Sequence, residues 1–204
     1  MKYRFYEENN DKLIIFFNGW GMDELIISHL KREGFDVIIF YDYTDLDISF
    51  PSFDKYKEKY VIAWSMGVMI STLFEFESIK KYIAINGTPK PIDDDYGIPK
   101  KIYNLTVRGF NEKSCKKFMD RMFMTKPPID KFSNRTLESQ KEELINLMGI
   151  EGKIVSFDKQ IVSEKDYIIP TKNQLNYWKN PANIDIIKSG HCPFFEYESW
   201  SELL

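Results

Sequence analysis

Residues 61–68 read Val-Ile-Ala-Trp-Ser-Met-Gly-Val, and the pentad Ala63-Trp64-Ser65-Met66-Gly67 inside them decides how the rest of the chain is read. An apolar run precedes Ser65 and a helical pattern follows it. A serine on a sharp strand-to-helix turn needs small residues two positions to either side, because the two backbones pass close together there. Ala63 and Gly67 meet that need, with Ala where the common motif has Gly. This is the single Ser-x-Gly of the chain. The competing reading is a serine N-cap followed by a glycine that lets the helix pack.

Outward from this turn, short apolar runs bounded by polar or Gly-rich turns recur at 13–17 (LIIFF), 37–40 (VIIF), 82–85 (YIAI) and 184–187 (IDII). Helical patterns lie between them, at about 22–33, 66–77, 171–179 and 196–203. That alternation predicts an α/β fold with a mostly parallel sheet, and strands apolar on both faces predict helices on both sides. Pro170-Thr171, with Gln174 three residues after the Thr, predicts a capping-box helix start. The alternation breaks over 111–148, which is helical in pattern, is interrupted by Pro127 and Pro128, and contains no buried strand. It reads as two or more helices inserted at about 110–150 as a cap over one end of the sheet. Without repeats, low-complexity tracts or linkers, residues 1–204 read as a single domain.

Composition narrows the function. A chain of 204 residues with 43% apolar side chains buries a core without help from disulfides or metals. Its two cysteines, Cys115 and Cys192, fit neither a disulfide framework nor a zinc site, and the start MKYRFYEENNDK has no apolar signal region. No stretch approaches the apolar length of a membrane span. A reducing, cytoplasmic location is expected, with no metal or organic cofactor, no membrane and no nucleic-acid partner, and a monomer is favoured. The net charge of −3 is unevenly placed: residues 100–135 hold ten cations against three anions, a net +7, which leaves −10 for the rest.

A serine is a weak nucleophile until a base takes its proton, and histidine is the usual base. Of the two histidines, His29 falls in the first predicted helix, where a structural role is expected. His191 lies in Lys188-Ser189-Gly190-His191-Cys192-Pro193-Phe194, a Gly-led loop after the last apolar run that can swing an imidazole over the C-terminal edge of the sheet. The acid that orients it is read as Asp166, with Glu164 and Asp158 as fallbacks. The resulting chain order, Ser65, Asp166, His191, is that of α/β-hydrolases. Donors for a developing oxyanion would be the N–H of Met66, directly after the serine, and the N–H of Trp20 in the Asn18-Gly19-Trp20-Gly21 loop that follows the LIIFF run.

Several longer stretches then carry a specific resemblance. AWSMGV at the turn, NGWG at 18–21, YDYTDLDISF at 41–50, INGTPKPIDDDYGIP at 85–99, SEKDYIIPTKNQLNYW at 163–178 and GHCPF at 190–194 closely resemble the BioG family. These are small α/β-hydrolase-fold esterases of biotin synthesis. The likeness runs from the first strand to the C-terminus and is weakest over 111–155. It implies hydrolysis of pimeloyl-[acyl-carrier protein] methyl ester to methanol and the free acid. Ser65 would then be the nucleophile, His191 the base, Asp166 the orienting acid, and Trp20 and Met66 the oxyanion hole.

Acyl-carrier proteins are acidic helical bundles, so the +7 segment suits such a partner, with Lys113, Lys116, Lys117 and Arg121 as docking candidates. Phe110, Phe118, Phe123 and Phe132 would line an acyl channel or pack the cap onto the sheet. Two other readings stay open: a general short-chain esterase or thioesterase with the same three residues, and a carrier-protein binding module with a relic turn.

Overall fold

The structure is a computed structural model and describes residues 1–127, 129–179 and 181–204. Seven strands, β1 (Lys2–Tyr6), β2 (Lys12–Phe17), β3 (Phe35–Tyr41), β4 (Glu58–Trp64), β5 (Ile79–Ile85), β6 (Lys159–Ser163) and β7 (Ile184–Ile187), form one sheet in the order β1-β3-β2-β4-β5-β6-β7. Every neighbouring pair is parallel except β1 and β3. Strands β2 and β3 are buried on both faces, whereas β7, from the run at 184–187, is an edge strand whose Asp185 and Ile186 are exposed; Leu13, Ile14, Ile15, Phe16 and Phe17 of β2 have no exposed surface. Each such Leu, Ile or Phe contributes about 1.5–3 kcal/mol by leaving water, so the central strands also anchor the core.

Register decides where the chemistry sits. Phe17 pairs with Ala63, Trp64 with Ile85, Ile85 with Ile161, and Ser163 with Ile187. The C-terminal ends of five parallel strands therefore lie along one edge, and the loops that leave them converge there. That edge is where an open parallel sheet holds its ligands.

Among the described residues, five α-helices accompany the sheet: α1 (Met66–Ser71), α2 (Lys100–Arg108), α3 (Glu112–Arg121), α4 (Leu137–Leu147) and α5 (Thr171–Trp178). The segment between β5 and β6 holds α2, α3 and α4. Asn111 starts α3 with a reciprocal capping pair to Ser114, and the Thr136 side chain caps α4. Pro127 lies between these two helices; Pro128 is outside the described residues.

Several sequence expectations need correction. Residues 22–33 form only a short 3₁₀ turn, Glu24–Ile27, capped by Asp23, although Met22, Ile26, Ile27 and Leu30 are buried as an amphipathic helix would bury them. Residues 196–203 likewise hold only 3₁₀ turns, Phe194–Glu196 and Trp200–Leu203. Helix α1 stops at Ser71 rather than continuing to 77, where the hydroxyls of Ser71 and Thr72 fold back onto the carbonyls of Val68 and Met69. Helix α2, outside the expected insertion, starts at Lys100. Strand β1 was not expected: it is an antiparallel edge strand with exposed Lys2, Tyr3 and Arg4, so its sequence has no continuous apolar run.

The start of α5 is right, but not the capping box. Pro170 is the N-cap and Thr171 is already inside the helix, so its hydroxyl donates to the Ser163 carbonyl at 2.7 Å. Gln174 points elsewhere, as described below.

Candidate active site

The turn between β4 and α1 holds Ser65 at φ 57° and ψ −123°, a conformation that costs a non-glycine residue energy. It is held by bonds on both sides: the Ser65 N–H donates to the Ile85 carbonyl at 2.9 Å, and the Val68 N–H donates to the Ser65 carbonyl at 3.1 Å. Gly67 is required sterically, since a Cβ there would run into the carbonyl oxygens of Phe17 and Asn18. A Cβ on Gly87 would come within 2.5 Å of the Ser65 carbonyl oxygen.

Ser65 Oγ lies 2.8 Å from His191 Nε2, and His191 Nδ1 lies 2.7 Å from Asp166 Oδ2. All three residues are buried. Asp166 Oδ1 accepts the N–H groups of Ile168 and Ile169 at 2.8 and 2.9 Å, and Oδ2 also accepts from Gln174 Nε2 at 2.8 Å. The two amides and Gln174 can only donate to this carboxylate, so it serves as the acceptor in this network. Nδ1 of His191 therefore carries the ring proton, which leaves Nε2 to accept from the serine hydroxyl. Neither fallback acid reaches the imidazole: Asp158 accepts the Tyr82 N–H at 2.7 Å at the far end of β6, and Glu164 is exposed. His29 is not helical; its Nε2 meets the Phe194 carbonyl at 2.9 Å and its ring stacks on Phe195.

The loop bearing His191 is tied to the sheet by contacts that the sequence reading missed. Asn86, just past β5 at φ 43°, donates through Nδ2 to Ser163 Oγ and to the carbonyls of Gly190 and His191 at 2.8, 3.1 and 2.9 Å, and it accepts the Ser163 N–H at 2.7 Å. Trp64 Nε1 donates to the same His191 carbonyl at 2.8 Å. A polar residue ending an apolar strand run, as Asn86 does in Ala84-Ile85-Asn86-Gly87, was the available signal, but it reads equally well as a turn. Burial pushes the thiol of neighbouring Cys192 far up from its ordinary value, so it stays protonated.

Trp20 and Met66 stand with Ser65 and His191 in the wall of one cavity that opens to solvent. Among the described residues, neither the Trp20 nor the Met66 backbone N–H has a protein acceptor. The remaining wall is mainly apolar, with Ile98, Tyr103, Phe118, Met122 and Leu144, while the exposed Ile102, Tyr167 and Arg121 mark the mouth. Of the four phenylalanines singled out in the sequence, Phe118 lines this cavity; Phe110 packs edge-on against Trp20, and Phe123 stacks on Phe132. Lys113 and Lys117 are exposed on α3, Lys116 pairs with Asp120 one turn on, and Arg121 borders the cavity. Arg135, counted among the ten cations of the basic segment, turns its charge inward: it pairs with Asp42 at 2.8 Å and with Glu143, and its side chain is only 6% exposed.

Over residues 1–203 the chain matches the family described as "Pimeloyl-ACP methyl esterase BioG". The chain belongs to that family. It is similar over its whole length to BioG from Haemophilus influenzae, whose crystal structure superposes with a TM-score of 0.91 at 31% identity, covering 100% of this chain and 99% of the other. A malonyl-[acyl-carrier protein] O-methyltransferase of Bacteroides fragilis is 38% identical over 181 residues, 83% of this chain; the chain spans only 37% of that protein's length. An esterase from Exiguobacterium antarcticum shares the fold, with a TM-score of 0.69 at 15% identity over 95% of this chain and 89% of the other. The fold is that of the α/β-hydrolases, and with the BioG family it makes the chain an enzyme of the esterase class.

Proposed function

We propose that the chain is a single α/β-hydrolase domain, with its β5–β6 segment as a cap, that hydrolyses pimeloyl-[acyl-carrier protein] methyl ester in cytoplasmic biotin synthesis. The observation that supports this most is the Ser65–His191–Asp166 relay, with separations of 2.8 and 2.7 Å, inside a largely apolar cavity. A relay of this kind serves acyl transfer, and an apolar wall suits a methyl ester at the end of an aliphatic chain.

Ser65 Oγ attacks the carbonyl carbon of the ester while its proton passes to His191 Nε2. The N–H groups of Trp20 and Met66 receive the charge that develops on the carbonyl oxygen. The tetrahedral intermediate collapses and methoxide leaves as methanol with the proton held by His191, so the acyl group remains on Ser65. Water then attacks the acyl-serine, giving its proton to His191, and Ser65 recovers a proton as the free acid departs. The thioester to the carrier is untouched. Asp166 keeps the imidazole in one tautomer and stabilises its charged form throughout. Lys113, Lys116, Lys117 and Arg121 flank the approach for an acidic carrier.

The test is hydrolysis of the carrier-linked methyl ester, set beside that of a simple aryl ester, by the unmodified protein and by Ser65→Ala. The variant should lose ~10⁴-fold or more in rate while its thermal midpoint is kept. Retained activity in Ser65→Ala would refute the mechanism. Equal efficiency on both esters would leave a general esterase in place of the dedicated one.

A further inference from the structure

The loop after β2, which carries Trp20, is held in shape from the β5–β6 segment rather than by the sheet alone. Within the loop, Asn18 accepts the Gly19 N–H and donates to the Asp23 carbonyl, at 2.9 and 2.8 Å. The Asn18 N–H donates to the Phe40 carbonyl at 2.9 Å, and three further restraints come from residues more than a hundred positions away. Trp20 Nε1 donates to the Gln140 carbonyl at 2.8 Å, the Gly21 N–H donates to Glu143 Oε2 at 3.0 Å, and the Asn134 N–H donates to Asp23 Oδ2 at 2.5 Å.

Glu143 is the centre of this attachment. It has no exposed surface, yet it is a carboxylate on the buried face of α4. Its second oxygen accepts the Tyr43 N–H at 2.9 Å, and Tyr43 Oη donates to the Asn18 carbonyl at 2.7 Å, so Glu143 holds the loop at Gly21 and braces the residue that holds it at Asn18. Arg135 pairs with Glu143 and extends the chain of contacts to Asp42. Burying a carboxylate is strongly opposed by desolvation, and a well-packed apolar side chain would suit a core position at least as well. What an apolar residue could not do is accept two backbone N–H groups from separate loops.

The bond from Gly21 fixes the plane of the Trp20–Gly21 peptide, while the indole is fixed at its far end by Gln140. Gly21 itself sits at φ 75°, where a side chain would be strained. The peptide that carries the Trp20 N–H is restrained at its carbonyl, where Gly19 accepts the Met22 N–H at 3.3 Å; with both peptides flanking Trp20 held, that N–H, without a protein acceptor among the described residues, keeps its direction.

We infer that Glu143 is a positioning residue of the oxyanion hole: by accepting the Gly21 N–H it aims the Trp20 N–H at the oxygen that becomes charged during ester cleavage. This rests on the esterase reading of the site. Glu143 touches no substrate and takes no proton in the reaction; it acts through Trp20. The loop therefore owes its competence to α4, so the cap is a working part of the oxyanion site as well as its cover.

The test is Glu143→Met, which keeps the length of the side chain and leaves the Gly21 N–H without an acceptor. We expect kcat to fall about 10- to 100-fold with KM changed less than about threefold, since one oxyanion donor is misaimed rather than removed. Affinity for an alkyl trifluoromethyl ketone, which forms a tetrahedral adduct on Ser65, should fall by the same factor. The downfield proton resonance of His191 Nδ1–H should stay unchanged. If Arg135, left with Asp42 as its one carboxylate partner, unfolds the single variant, Arg135→Met combined with Glu143→Met removes that charge and keeps the readouts. Unchanged kcat and ketone affinity in a folded variant would overturn the proposal, as would loss of the His191 resonance. Failure of the ketone to bind the unmodified protein would instead sink the esterase reading itself.

Discussion

Trp64 Nε1 donates to the backbone carbonyl of His191 at 2.8 Å, so the residue before the serine holds the residue that faces it. The indole also packs edge-on against Phe194, three residues beyond the histidine, with ring centroids 5.1 Å apart. The last residue of β4 thus sets the height of the His191 loop above the sheet, and the 2.8 Å contact between imidazole and serine follows from it. Trp64→Phe keeps an apolar ring but removes the donor. It should lower stability by about 1 kcal/mol, because Asn86 still serves the same carbonyl. The catalytic cost should be larger, about tenfold in kcat, read by thermal unfolding and ester hydrolysis on one preparation.

Asp36 supplies a pH test at the opposite end of the sheet. Its carboxylate is buried in β3, where burial pushes its pKa up, but bonds from Tyr56 Oη, the Glu8 and Asn10 N–H groups and the Asn10 side chain outweigh this and hold it below the ordinary value. A lowered carboxylate contributes stability that is fully present above the unfolded value, about 3.9, and is lost as pH falls through the lower folded value. Asp36→Asn should cost about 1–2 kcal/mol at pH 7, and that difference should shrink as pH falls below about 4. Urea denaturation from pH 3 to 7 measures it; a difference independent of pH would contradict the assignment.

The docking reading gives a charge-reversal test. Lys113 and Lys117 are exposed and unlike Arg121 do not border the cavity. Reversing both to Glu should lower kcat/KM on a carrier-linked ester about tenfold at low salt and less at high salt, since screening removes the steering. Hydrolysis of a small aryl ester should be unchanged. Equal losses on both substrates would move the effect from docking to the fold.

How much of this was legible in the sequence follows from how local each signal is. The central strands show as apolar runs because both their faces are buried, and Ser65 shows because its turn demands Ala63 and Gly67 within five residues. Asp166 could be placed through chain order alone; the three donors besides His191 that fix it come from two successive amides and a glutamine that resembled half of a capping box. Strand β1 was illegible because an edge strand with a solvated face lacks a continuous run. The stretch 22–33 has helical apolar spacing, yet Asp23 is committed both to capping Leu25 and to the N–H of Asn134, which leaves a 3₁₀ turn. Glu143 carried one faint mark. Gln140, Glu143, Leu144 and Leu147 share the buried face of α4, and an acid on that stripe is out of place until Gly21, Tyr43 and Arg135 are beside it.

The attachment of α4 to the Trp20 loop also bears on how such enzymes can be rebuilt. Inserted helical covers are commonly treated as exchangeable parts, to be swapped between relatives to change substrate range. Here a graft bounded by the ends of β5 and β6 would strand Asp42, Tyr43 and Gly21 in the recipient without the side chains they meet. A working chimera would need to carry both sides of that seam, so the natural unit of exchange is discontinuous in the chain.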